Sequence, residues 1–147
     1  MPEFRDLQII VGSRMPIVVI ETYEEPRAVQ LVSRVGIDQD RPVFTWTITE
    51  GLKRADLEHN VPQRLTIEPD AALGQIKATE RPSIYVLCDF HPFLDEVPKN
   101  IRLLKEIAME HDANGHTVIL LSHALSIPLR LNGTVLECRC HCRMISK

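Results

Sequence analysis

Asp89 ends the apolar run in "IYVLCDFHPFLDE" (Ile84 to Glu96). An acid at the end of a buried strand is where nucleotide-hydrolysing enzymes hold magnesium. Ser122, after "TVILL", stands where a polar residue on a neighbouring strand would sense such a ligand, and Glu21 closes "IVVIE" in the same way. His91 follows Asp89 by two residues and precedes Pro92. These four, Glu21, Asp89, His91 and Ser122, are the candidate cofactor-binding residues. A second group is soft: Cys138, Cys140, His141 and Cys142 crowd the tail "CRCHCRMISK" and are the candidate metal ligands.

Phosphate chemistry needs more than an acid. A glycine-rich turn after the first strand must present backbone amides to the phosphates, with a lysine for charge and a Ser or Thr for magnesium. The corresponding stretch here is "ETYEEPRAV", with Glu21, Glu24 and Glu25, without glycine or lysine, and with Pro26 removing an amide donor. Carboxylates there repel a triphosphate. Asp89 therefore has two readings, magnesium ligand or cap of the turn or helix after "FHP", and the missing cradle favours the cap. His91 reads as a strand-end hydrogen-bonding residue rather than a general base, and Cys88 as a buried core thiol.

The other chemistries are weaker. Structural zinc is held by two separated ligand pairs that let the chain wrap the metal, and the C-x-C-H-C pattern lacks a second half. "SHALS" lacks both glycines of a nucleophile turn, and Ser122 and His123 are chain neighbours whose side chains diverge on a strand, which argues against a hydrolase.

These residues must be positioned by alternating elements. Phe4, Leu7, Ile10 and Val11 recur at helical spacing. "IVVIE" is a continuous β-branched run, as in strands covered on both faces. "TYEEP" predicts a helix capped by Thr22, with Glu25 completing a capping box and Pro26 in the first turn. Ala28, Leu31, Val32 and Val35 form its apolar stripe, and Gly36 is expected to end it. "VFTWTI" (Val43 to Ile48) predicts a second strand. Residues 49–66 read mostly as loop, and a short helix begins at Pro69 with Ala72, Leu73 and Ile76. "SIYVLC" is a third strand. Val97, Ile101, Leu104, Ile107 and Ala108 mark a helix closed by "ANG". "TVILLS" is a fourth strand and "TVLEC" a fifth.

This alternation predicts an α/β fold with a three-layer, doubly wound, mainly parallel sheet of about five strands. Ligands of such sheets sit beyond the carboxyl ends of the strands. That edge gathers Glu21–Tyr23, Thr47–Glu50, Asp89–His91 and Ser122–His123.

The 147 residues make one domain by length, and 44% hydrophobic with 25% charged residues exclude a disordered chain. A net charge of −3 with scattered basic residues argues against nucleic acid as a partner. No apolar run approaches the roughly 20 residues that span a bilayer, and the N-terminus lacks a signal-peptide pattern. A cytoplasmic protein with reduced thiols is the expectation.

Four segments together carry a resemblance: "MPIVVIETYEEPRAVQLV", "RPVFTWTITEGL", "IYVLCDFHPFLDE" and "TVILLSHALSIPLRL". In this order and spacing, over about residues 5–131, they resemble the N-terminal domain of a family of AAA+ ATPases found in bacteria and some plastid genomes. The resemblance implies a RecA-like, degenerate P-loop domain (1–137, followed by a Cys-rich tail, 138–147) that precedes a competent AAA+ module. That separate module would carry the Walker motifs and, with them, ATP and magnesium. This chain has no G-x-x-x-x-G-K-(S/T), so no ATP-binding residue of the family has a position here and no cofactor is expected for the chain itself. The implied partner is an AAA+ module or ring of the same family. "CRCHCRMISK" departs from the acidic, proline-containing strand of the family, and the break coincides with the domain boundary. A truncated, frame-shifted or separately encoded N-terminal domain is the expectation. The chain then reads as a non-catalytic regulatory or partner-binding domain, and the alternative is a stand-alone nucleotide-binding enzyme with an atypical phosphate site at the strand edge.

Overall fold

The computed structural model describes residues 2–13, 15–55, 64–123 and 135–138. In chain order these form α1 (Pro2–Gly12), β1 (Ile17–Glu21), α2 (Glu25–Asp38), β2 (Val43–Thr47), β3 (Gly51–Arg54), α3 (Pro69–Ala78), β4 (Ile84–Cys88), α4 (Pro98–Met109), α5 (His111–Asn114), β5 (Thr117–Ser122) and β6 (Val135–Cys138). Short 3-10 turns cover Arg64–Thr66 and His91–Phe93.

The strands form one sheet in the order β3-β2-β4-β5-β1-β6. All pairings are parallel except β2 with β3. The five predicted strands are all present. Their parallel order is RecA-like, with β1 between β5 and β6. The fold is the expected α/β three-layer arrangement.

Continuous apolar strands give two cores because successive side chains point to opposite faces. Ile17 and Val19 of β1, Tyr85 and Leu87 of β4, and Val118 and Leu120 of β5 pack with α3 and α4. Val18 and Ile20, Ile84 and Val86, and Ile119 and Leu121 pack with α1 and α2. In α2 and α4 the stripes read from periodicity are buried: Ala28, Leu31, Val32 and Val35 in one, Ile101, Leu104, Ile107 and Ala108 in the other.

Three local expectations are corrected. Strand β3 lies within the stretch read as loop. Gly51 takes φ 76° to turn the chain back, Trp46 Nε1 donates to the Thr66 carbonyl at 2.7 Å, and the Leu52 N–H donates to Thr66 Oγ1 at 2.8 Å. The strand is thus held by partners well along the chain, which local composition does not report. Helix α2 does not stop at Gly36. A Cβ there would lie 2.2 Å from Val43 Cγ2 and 2.8 Å from the Arg41 carbonyl oxygen, so this glycine serves close packing rather than termination. Thr22 does not cap α2 either. Glu24 is the N-cap residue and makes no side-chain cap bond, while Thr22 Oγ1 accepts from the Glu24 N–H at 3.0 Å in the preceding turn. Cys138 ends β6, as the predicted fifth strand has it.

Candidate functional site

At the carboxyl edge of the sheet, β1 leads away toward β2 and β5 leads the other way toward β6. Ligands of parallel sheets sit beyond the carboxyl ends of such adjacent strands, where the order of connection reverses. The register places Glu21 beside Ser122 and Cys88 beside Leu121. Two backbone bonds continue the ladders past the strand ends: Thr22 N–H to the Ser122 carbonyl at 2.8 Å, and Asp89 N–H to the Leu121 carbonyl at 2.9 Å. Above them lies a cleft of about 320 Å³ lined by Thr22, Tyr23, Glu25, Asp89, Leu121, Ser122 and His123.

Of the four candidate residues, Asp89 and Ser122 meet in this cleft. Glu21 ends β1 in register with Ser122 but does not line it. His91 lies in the 3-10 turn beyond Asp89, away from the lining, and its Nδ1 is buried without a hydrogen-bond partner among the described residues. Thr47–Glu50 lie at this edge as expected, since β2 runs parallel to β4, but they form the turn into β3 rather than the cleft lining, and Lys53 Nζ pairs there with Glu50 at 3.0 Å. Residues 140–142 of the tail lie outside the described residues. Among the described residues there is no cluster of three or more His, Cys, Asp or Glu that could hold a metal.

Asp89 does not act as the expected cap. Neither the 3-10 turn nor α4 has a side-chain cap bond. Its backbone takes φ 54°, a left-handed conformation that aspartate adopts more readily than most residues. Cys88 is buried as expected, and its thiol pKa is pushed well up, first by burial and then by the charge of Glu25 and a hydrogen bond to it. Burial thus disfavours its thiolate form.

Sequence reasoning placed Tyr23 and His123 at this edge without naming them as candidates, and read Glu25 only as part of a capping box. Their signal was position alone, since each immediately follows or closely trails a strand. Tyr23 is 81% exposed, and its ring lies 5.7 Å from that of His123 across the mouth of the cleft. Among the described residues the lining contains two carboxylates and neither lysine nor arginine. Magnesium–triphosphate requires cationic and amide donors around its phosphates. The residues present do not fit that group.

The relatives agree with the motifs. Residues 4–138 match the family described as SpoVK-like AAA ATPase, N-terminal domain. The chain is 26% identical over 132 residues to an uncharacterized AAA domain-containing protein, ycf46, of Guillardia theta. It is 28% identical over 134 residues to the ycf46 protein of Pyropia yezoensis, and 21% over 131 residues to that of Trieres chinensis. The first two alignments each cover 89% of this chain and 26% of the relative, so the chain spans about a quarter of their length. No solved structure matches it significantly. With the motifs, the sheet order and the family match in agreement, the chain belongs to the family of SpoVK-like AAA ATPase N-terminal domains.

Proposed function

We propose that this domain is non-catalytic and serves an AAA+ ATPase as a regulatory or partner-binding element. The observation that carries the reading is the turn from β1 into α2. Where a phosphate cradle would lie, the chain places Thr22, Tyr23 and Glu24, then opens the helix with Glu25 and Pro26. A helix N-terminus attracts anions through its free amides, and here a proline and an acidic first turn occupy that position. ATP and magnesium are then the business of a separate AAA+ module, and the domain's partners are that module, the ring it builds and protein clients. A partner approaching the cleft would meet an exposed aromatic residue and two carboxylates, chemistry suited to a protein surface rather than a nucleotide.

The test is ATP hydrolysis by the purified chain with magnesium. The expected rate equals the blank, and Asp89→Asn leaves it there. A robust rate abolished by Asp89→Asn overturns the proposal. Asp89 and Ser122, side by side on neighbouring strand ends, also support a nucleotide site of atypical design. Saturable micromolar binding of magnesium–nucleotide, lost in Asp89→Asn, would establish that second reading instead.

A further inference from the structure

A second cleft, of about 300 Å³, opens at the opposite edge of the sheet, where the parallel strands begin. Its lining includes Gln39 and Arg41 after α2, Pro82 before β4, and His111, Asp112 and Thr117. Arg41 dominates its chemistry. Its Nη2 donates to the carbonyls of Gly115 at 2.7 Å and Ser83 at 3.2 Å, and to Thr117 Oγ1 at 2.9 Å. These bonds fix the guanidinium plane. Nη1 has only a long contact, 3.4 Å, to Gln39 Oε1, and Nε is buried with no acceptor among the described residues.

A guanidinium stays charged at any physiological pH, and a desolvated cation is stabilised by a nearby anion. Among the described residues no carboxylate pairs with Arg41. Burial lowers the pKa of Arg41, and no acidic group among the described residues offsets it. Asp112 shares the lining but makes no ion pair with Arg41. The cleft therefore holds a pre-oriented planar donor whose outer amino group is poorly satisfied.

We infer that this cleft is a binding site for a carboxylate, with Arg41 Nη1 as the principal donor. The choice of anion follows from the lining. Among the described residues its one arginine is accompanied by His111, by the acidic Asp112 and by no lysine, which suits a single negative charge better than a phosphate dianion. This site lies away from the candidate cleft and does not depend on the proposed function.

The test is a proton–nitrogen NMR titration of the chain with sodium acetate, against sodium chloride at equal ionic strength. The expected result is saturable, acetate-specific shifts at Gln39, Gly115 and Thr117 and at the Arg41 guanidinium Nε–H, with inorganic phosphate binding more weakly. N-acetylglycine, a mimic of a protein chain end, is titrated in parallel. Tighter binding than acetate assigns the site to a polypeptide terminus, and equal binding to a free small carboxylate. Arg41→Lys keeps the charge but loses the fork, and abolishes the shifts. If that variant fails to fold, Asp112→Asn decides, because it leaves the ties of Arg41 in place and should tighten acetate binding about threefold by removing a like charge. Shifts identical in chloride, phosphate binding as tight as acetate, or an unchanged acetate affinity in Asp112→Asn would each overturn the inference.

Discussion

The two edges of one sheet have opposite constructions. At the carboxyl edge, β1, β4 and β5 end in a cleft whose lining includes exposed Tyr23, Glu25 at the start of α2, and Asp89 in a left-handed conformation. At the amino edge, segments distant in sequence are tied by buried polar groups. Arg41 bridges Ser83, Gly115 and Thr117, and His116 accepts from the Ser83 N–H at 3.2 Å through Nδ1 while Nε2 donates to the Thr79 carbonyl at 2.7 Å. Gly115, with φ 68°, closes α5 against Pro82, which would lie 3.1 Å from an added Cβ. β4 and β5 are buried along their whole length, whereas β1 and β2 are half-buried at their last residues, Glu21 and Thr47. The contrast teaches that this fold concentrates its polar cross-links where chains enter the sheet.

The sharpest way to break the comparison is to remove the amino-edge clamp. Arg41→Ala takes the side-chain donor from the Gly115 carbonyl, while the Ser83 carbonyl keeps the Thr117 N–H at 3.0 Å, and should lower unfolding stability by roughly 2 kcal/mol in urea denaturation. A loss no greater than that of an exposed substitution would show the clamp to be incidental.

Next comes pH. His116 is held neutral, its pKa lowered from 6.5 chiefly by burial, with Arg41 and His111 reinforcing the shift and the bond to the Thr79 carbonyl opposing it. The unfolded chain therefore binds this proton more readily than the folded one. Stability contributed by His116 is complete above pH 6.5 and is lost as pH falls from there through the lower folded value. Urea midpoints compared across that window should decline in the wild type and decline less in His116→Gln. Equal declines would remove His116 from the amino-edge network.

The carboxyl edge should respond weakly. Asp89→Gly relieves a left-handed non-glycine residue and should raise stability by about 0.5 kcal/mol after the entropy cost of glycine in the unfolded chain. A clear loss of stability would reveal a structural duty for the carboxylate. The smallest effect belongs to Tyr23→Ala, expected to change stability by less than about 0.5 kcal/mol because the ring is largely in water. If this exchange instead destabilises the domain substantially, the exit side is structural too.

The sequence by itself determined the apolar runs and their spacing, and therefore the predicted strands and the principal helices with their buried stripes. It also carried the motifs of the family. These signals are local: a helix or a doubly covered strand writes its burial into residues a few positions apart. The ends of β1, β4 and β5 were legible for the same reason, and with them the neighbourhood of Asp89 and Ser122.

Only the tertiary structure decided the rest. It placed Asp89 and Ser122 together with Glu25 and turned His91 aside. It recruited Gly51–Arg54 into the sheet through Thr66 and ran α2 past Gly36 because Val43 needed the space of a missing side chain. The amino-edge network was invisible in the chain, because Arg41 meets Gly115 and Thr117 at separations of 74 and 76 residues. No local pattern records such a meeting. The sheet order brings those segments together, and the cost of leaving buried polar groups unpaired then selects which side chains join.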